Sequence, residues 1–507
     1  MKKYFVLFFL FIAMPCFAQI DLVSNDIFSL TLSPYLQTDV ISFNNAVDLD
    51  SHSKDDRSTY FGIDYSLGFN FNFKAQDQRF FFKLERNGLY DYDAPLFIHD
   101  TLTTTGPTHV KAYRNVELLP QLEEFWYELP LNIFATRFKA GLFNYEAGKG
   151  YAVGSGSFEN YGAMLYRQDD DFSWRIYYFR PDLVYKNRLG PRIELEEEEG
   201  IDYQPNAANL FALDATFNLG KNVFQPFISV LSDYTHQGKK TSLFSAPTNR
   251  DILGTVGISA DFYIKGFSLG LELARNFGQA ESSEPAFKNV EHKGYLLYSN
   301  ATYDFGRFSP HAQFIFSSGN KVTQEMVESG DTTFPNAANK AFSVYSPLNT
   351  NLFDCLGPSA DSLPLVFFGW GYGLNNGIGV YRPSTFSDDS IYENMVMPSM
   401  GFDYKLTEKL SVILDWWYIR ANEKGVGMLA GIAKELSRNL GQEIDLTLSF
   451  DFNDKMNISL YGGYFWPGEF FKEKRDDVGG SLFTPYVRGD GKADNAYQIE
   501  LVCSLEF

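Results

Sequence analysis

Charged side chains at two- and four-residue spacings are the part of this sequence that could do chemistry. Arg79 and Lys83, Arg137 and Lys139, and Arg175 form a basic set in the first third of the chain, interrupted by Glu124 and Glu128. Asp403, Asp415, Glu443, Asp445, Asp451, Glu500 and Glu506 form an acidic set near the other end. Even spacing puts such residues on one face of an extended strand. They line a surface rather than converge on a reacting atom. A basic wall facing an acidic one across water sets up a transverse field that orients dipolar solutes such as sugars. Closure of the same charges into ion-pair ladders that only support the wall is the plainer alternative for each residue.

Catalytic patterns are absent. The six histidines, at 52, 99, 109, 236, 292 and 311, include no HExxH, and there is no GxSxG elbow or CxxC pair. His311 shares the parity of the charged face and reads as structural. The glycine run from Gly371 to Gly379 lacks phosphate-loop spacing. The acidic stretches Glu194 to Glu199 and Asp490 to Asp494 offer oxygen ligands for weak Ca²⁺ binding, but a solvated charge run is the simpler reading. No enzyme activity, cofactor or metal is expected.

The elements that must carry the charges alternate with period two. Ile444, Leu446, Leu448, Phe450 and Phe452 share one face of 443–452, with Glu443, Asp445, Thr447, Ser449 and Asp451 on the other. Tyr497, Ile499, Leu501, Cys503, Leu505 and Phe507 repeat the pattern at the C-terminus, as do Phe61, Ile63, Tyr65, Leu67, Phe69, Phe71 and Phe73 near the other end. Strands are expected at about 28–42, 58–74, 78–92, 118–130, 131–146, 156–168, 171–184, 206–219, 222–236, 251–265, 266–279, 291–306, 307–320, 391–406, 409–423, 441–454, 455–468 and 494–507, eighteen in all. Tight turns, among them Gln76-Asp77, Gly220-Lys221, Lys265-Gly266 and Thr407-Glu408, alternate with long polar loops at 93–117, 185–205, 237–250, 280–290, 321–390, 424–440 and 469–493.

A soluble sandwich also alternates, but it has no reason to gather every long loop at one end. An all-β transmembrane antiparallel barrel does, with short periplasmic turns and long extracellular loops. An even strand count also closes the sheet without a lipid-exposed edge. The aromatic content of 17% fits such a wall, and Tyr177, Tyr178 and Phe179, Trp416, Trp417 and Tyr418, Tyr464 and Trp466, and Phe507 are expected at the membrane interfaces. Within the long loop 321–390, the apolar stretch Leu363 to Tyr381 is too hydrophobic for an exposed segment. Either it folds into the mouth, with Phe367, Phe368, Trp370 and Tyr372 narrowing the pore, or it forms an extra pair of strands at the barrel top.

Residues 1–18 read as a signal peptide: Lys2 and Lys3, an apolar run from Tyr4, and small residues ahead of a cleavage point before Gln19. The expected location is the outer membrane of a Gram-negative bacterium, with residues 19–507 as one barrel domain. Without Lys2 and Lys3 the formal charge of −20 becomes −22, which disfavours nucleic acid as a partner. Outer-membrane lipid, lipopolysaccharide and a polar solute or polysaccharide are the expected partners. An active transporter with a plug domain is disfavoured, because no plug-sized segment precedes the first strand. Cys355, in an outer loop, and Cys503, near the periplasmic end of the last strand, are expected too far apart for a disulfide.

Gly441-Gln442-Glu443-Ile444-Asp445-Leu446-Thr447-Leu448-Ser449 followed by Tyr464-Phe465-Trp466-Pro467-Gly468-Glu469-Phe470 resembles the C-terminal signature of the alginate export family of outer-membrane barrels. The pair of strands around Met400 to Trp417 resembles the segment preceding it, and Arg137 to Arg167 does so more weakly. The resemblance implies an 18-stranded barrel and passive passage of a polysaccharide or other hydrophilic solute. Where the family often has Gly-Arg-Gln on an early lumen strand, this chain has Gly141-Leu142-Phe143. A polyanion conduit needs cationic lining to compensate desolvated carboxylates, whereas the lining inferred here is mixed and leans acidic.

Overall fold

The computed structural model describes residues 20–44, 57–91, 121–131, 133–154, 160–180, 208–234, 239–240, 247–282, 289–319, 321, 324, 338–339, 364–366, 394–430, 432–474 and 491–506. Eighteen strands form the wall: β1 Phe28–Asn44, β2 Arg57–Phe73, β3 Gln78–Asp91, β4 Gln121–Leu131, β5 Thr136–Phe143, β6 Asn160–Gln168, β7 Phe172–Arg180, β8 Ala208–Leu219, β9 Asn222–Asp233, β10 Pro247–Ile264, β11 Phe267–Ser282, β12 Tyr295–Tyr303, β13 Phe308–Ser317, β14 Met395–Lys405, β15 Leu410–Ala421, β16 Asn439–Asn453, β17 Met456–Pro467 and β18 Ala496–Glu506. Each pairs antiparallel with its sequence neighbours, and β18 returns to β1 through Tyr35↔Glu506 up to Asn44↔Tyr497. The sheet is therefore a closed antiparallel barrel. Every wall strand has a hydrogen-bonded neighbour on both sides, the condition for a sheet in hydrocarbon.

The seam shows how closure is completed. β18 reaches only Tyr35 on β1, leaving the start of β1 as an edge. A short strand, Ile20–Ser24, folds back onto Ser29–Leu32 and covers that edge. The Asn25 side chain holds its turn by accepting from the N–H groups of Ile27 and Phe28, at 2.9 and 2.8 Å.

Tight turns join strands at one end of the barrel, and several of them hold residues in left-handed backbone conformations. Lys265 and Gly266, at φ 47° and 85°, make the two-residue link between β10 and β11, a turn whose twist matches that of the flanking strands.

The wall is inverted relative to a soluble protein. Glu272 is fully buried while its neighbour Leu273 is 47% exposed, and Glu443 is fully buried while Ile444 is 37% exposed. Asp214, Ser229, Thr255, Ser259, Asn276, Ser399 and Gln498 are buried on the inner face, and Ile176, Phe211, Leu213, Ile228, Val256, Ile258, Leu446 and Leu501 are exposed on the outer one. Burying one large aliphatic or aromatic side chain is worth about 1.5–3 kcal/mol. Eight such residues left about half exposed to water would forgo on the order of 8 kcal/mol, comparable to the whole stability of a domain. The outer face is built for an apolar solvent. No helix among the described residues is long and apolar enough to cross a membrane.

Several sequence expectations shift. The expected strands 118–130 and 131–146 become Gln121–Leu131 and Thr136–Phe143, separated by a turn in which Phe134 and Ala135 take positive φ. The expected strand 291–306 breaks into Val290–His292 and Tyr295–Tyr303. The loop 424–440 carries a small hairpin, Val426–Leu429 with Ile432–Glu435, and the loop 469–493 opens with one helical turn, Glu469–Lys472. Three expected girdle aromatics face inward: Tyr177, Phe179 and Trp417 are buried in the interior. Adjacent strand residues point to opposite faces, so a run of three aromatics cannot all meet lipid. Trp416, Tyr464 and Trp466 do lie on the outer face. Residues 1–19, Cys355 and Phe507 lie outside the described residues.

Candidate functional site

By strand register, Arg79, Lys83, Glu124, Glu128, Arg137, Lys139, Arg175, Asp403, Asp415, Glu443 and Asp445 share the inner face, and most of them have partners there. On the early wall, Arg137 bonds Glu128 through Nε at 2.8 Å and Asp77 through Nη1 at 2.5 Å. Tyr166 donates its hydroxyl to the other Glu128 oxygen at 2.6 Å. Because Asp77 belongs to the tight turn between β2 and β3, this network sits at the short-turn rim. One step along β5, the Lys139 ammonium lies 4.0 Å above the Trp126 ring and 4.5 Å from that of Phe143. Trp126 donates to Glu124 at 2.6 Å. Lys83 pairs with Glu85 on its own strand. Arg79, across the ladder from Glu128, is exposed. Arg175 on β7 faces Asp214 on β8 at 3.0 Å, and Tyr177 donates to the same carboxylate at 2.5 Å.

The late wall is arranged differently. Asp415 on β15 contacts His311 on β13 at 2.7 Å, across β14. Gly401 makes the crossing possible, since a Cβ there would stand 2.4 Å from the Asp415 carboxylate and 2.6 Å from the imidazole. Asp403 lies 3.7 Å from the other ring nitrogen. Glu443 and Asp445 on β16 accept backbone N–H bonds from Val366 at 2.5 Å and Leu365 at 3.3 Å. Residues 364–366 of the long loop 321–390 thus reach the inner wall, with Val366 fully buried. Phe367, Phe368, Trp370 and Tyr372 lie outside the described residues, as do Glu194 to Glu199 and Asp490. No group of three or more His, Cys, Asp or Glu side chains among the described residues is placed to hold a metal.

Among the described residues a second segment, which the strand alternation does not mark, enters the interior. Between β5 and β6, residues 144–154 fold into the barrel and reach across the interior to β10 and β11. Glu272 on β11 accepts from the backbone N–H of Lys149 at 2.5 Å and of Ala152 at 2.9 Å. The Lys149 ammonium reaches Asp261 on β10 at 2.5 Å. Tyr145 stacks on Phe179 with ring centroids 4.2 Å apart, and Tyr151 on Tyr298 at 4.1 Å. Gly148, at φ 67°, lies so close to the wall that a Cβ would come 2.6 Å from Glu272 and 2.9 Å from Phe227. Only glycine tolerates both that backbone conformation and that approach.

Around this segment the interior is apolar. Phe143, Phe179, Leu210, Leu253, Leu296 and Ile315 close over it, and Trp417, Ile419, Phe465 and Phe470 continue the packing under the outer hairpin and helical turn. The two internal segments and this packing fill part of the barrel interior. Glu272, Asp261, Asp214 and Lys149 were missed as site residues. A signal existed for Glu272, a lone carboxylate at interior parity in the otherwise apolar stretch Phe267 to Ala274. The run Gly148-Lys149-Gly150 was the corresponding mark of the crossing loop.

No family model matches the chain, and no curated protein is similar to it at the sequence level. Among solved structures, the barrel is similar to a BenF-like porin from Pseudomonas fluorescens Pf-5, at 9% identity and a TM-score of 0.49, covering 94% of this chain and 98% of that one. It is similar to OccK9 (OpdG) of Pseudomonas aeruginosa with the same identity, TM-score and coverage. The outer membrane protein OprD of Pseudomonas aeruginosa aligns over 97% of both chains at 9% identity and a TM-score of 0.47. At such values these similarities say nothing of solute or mechanism, and the closed barrel stands on the strand ladder of this chain.

Proposed function

We propose that the protein is a channel of the bacterial outer membrane for passive passage of small polar solutes, narrowed by the crossing segment 144–154. The observation that carries this reading is the inverted wall: an apolar outer face and a closed ring of strands around an interior lined by Glu128, Asp214, Glu272, Asp415, Glu443 and Asp445. A soluble barrel has no use for that inversion, and a membrane barrel requires it. Cleavage of residues 1–18 as a signal peptide belongs to the same proposal.

The substrate class follows from how the charges are spent. Arg137 and Arg175 are each neutralised by carboxylates on their own wall, and Lys139 is turned onto aromatic rings. Among the described residues that lining lacks the unbroken cationic track that a desolvated polyanion requires. Neutral hydroxylated or weakly cationic solutes suit it better than alginate. The likeness of 441–470 to the alginate export signature supports an 18-stranded conduit and leaves the solute open.

Planar-bilayer recording tests the channel. Discrete conductance steps are expected, blocked by neutral or basic sugars in preference to acidic ones. A second reading, a scaffold whose extracellular loops bind a surface polymer or protein, is favoured by the apolar packing under the outer hairpin. Absence of conductance even after deletion of 321–390 would sink the channel and leave the scaffold.

A further inference from the structure

The outer face of β10 to β13 holds a groove of about 740 Å³ lined by Val256, Ile258, Leu273, Tyr295, Leu297 and Phe316. Its floor is the small-residue backbone of Gly257 and Ala274, and its one cation is Arg275. Arg275 stands opposite Val256 on one side and Tyr295 on the other, with Leu273 below it and Phe277 above on the same face. It has no carboxylate within ion-pair distance among the described residues. A guanidinium with no carboxylate partner among the described residues, set in an apolar wall, suits an anion from outside the protein.

Its height says which anion. Arg275 is eight residues beyond Phe267, where β11 leaves its tight turn, so a strand rising about 3.3 Å per residue at roughly 40° of tilt lifts it about 20 Å. The apolar band of such a barrel is about 25 Å tall. Arg275 thus lies just inside the long-loop boundary, level with Tyr295, an exposed aromatic of the kind that marks the interface. Gln279 and Glu281, further along the same face, leave the band. Two residues below the guanidinium, Leu273, Leu297 and Phe316 lie side by side on adjacent strands, with Phe314 further down β13, an apolar lining that an acyl chain fits.

We infer that this groove binds one phosphorylated lipid of the outer leaflet, its phosphate on Arg275 and an acyl chain along Leu273, Leu297 and Phe316. Arg is suited to this because its planar fork meets a phosphate through two parallel hydrogen bonds. The inference rests on the membrane-spanning reading and not on solute passage, so its test is independent of conductance.

The test is lipid retention by the purified barrel in neutral detergent, followed by native mass spectrometry, with bis-phosphorylated lipid A as the probe. Wild type is expected to hold one lipid A. Arg275→Gln should lower the apparent affinity about tenfold or more, Arg275→Lys should recover part of it, and dephosphorylated lipid A on wild type should behave like the Gln variant. Inorganic phosphate alone should neither bind nor compete at matched concentration. Equal retention by wild type and Arg275→Gln, no retention by wild type, or a lipid-free dimer seated on this face each overturns the inference. Arg275→Gln removes a charge from a lipid-facing position, and its heat-modifiable gel mobility confirms that it folds. Wild type that conducts but holds no lipid A defeats this inference alone, whereas a barrel that holds lipid A without conducting defeats the channel alone.

Discussion

Replacing Glu272 should unlatch the crossing segment. The carboxylate is fully buried and accepts the N–H groups of Lys149 and Ala152 at 2.5 and 2.9 Å. Hydrogen bonds to a charged partner contribute about 1.5–3 kcal/mol each, so Glu272→Ala removes roughly 3–6 kcal/mol from the seated arrangement. Glu272→Gln keeps one acceptor and turns an amide N–H₂ toward the other donor, for about 3 kcal/mol. At 1.4 kcal/mol per tenfold, the smaller figure raises the ratio of released to seated segment about 100-fold. The Lys149–Asp261 pair and the Tyr151–Tyr298 stack remain and oppose release. Asp261→Asn is the control, because both partners of that pair are partly exposed and such pairs contribute about 1 kcal/mol or less. Single-channel recording with graded polyethylene glycols reads the outcome. The two Glu272 variants should show larger conductance, added gating noise and a larger polymer cut-off, with Asp261→Asn close to wild type. Unchanged conductance, noise and cut-off in folded Glu272→Ala protein would refute the latch.

Other expectations follow from the same interior. Arg175→Ala leaves Asp214 buried with Tyr177 and Gln225 as its remaining donors among the described residues; losing one partner of a buried pair costs about 3 kcal/mol, seen as a lower temperature for loss of the folded gel band. Changing Arg137 and Lys139 together to Glu should move reversal potentials in a salt gradient toward cation selectivity, and an unchanged potential would place both residues off the conducting path. Gly141→Ala should abolish or severely slow assembly, because at φ 140° its Cβ would stand 2.1 Å from the Phe125 carbonyl oxygen; normal heat-modifiable protein would contradict this. Removing residues 20–24 uncovers the start of β1 and should lower the unfolding midpoint in urea while leaving conductance intact.

Strand number, alternation and the sorting of short turns from long loops were legible in the sequence because each depends on local chemistry. A strand with two different environments must alternate, as 443–452 does, and a two-residue link such as Lys265-Gly266 needs residues that accept positive φ. The same rule already forbade Tyr177 and Phe179 from sharing a face with Tyr178, but which pair turned inward depends on the neighbouring strands. Parity placed Arg137, Arg175, Asp415 and Glu443 inside without saying what they meet there.

The partners were decided only by closure of the sheet. Glu272 and Lys149 are separated by 123 residues and Val366 and Glu443 by 77, and no periodicity reports a contact made across a barrel. A segment that crosses the interior has neither strand period nor helical period, because its shape is set by the wall it packs on rather than by its own sequence. The sequence by itself determined a membrane-facing barrel and its polar inner face. The tertiary structure decided that the inner charges are largely spent on one another, and that two buried carboxylate positions, at Glu272 and at Glu443 with Asp445, hold chain segments in the passage.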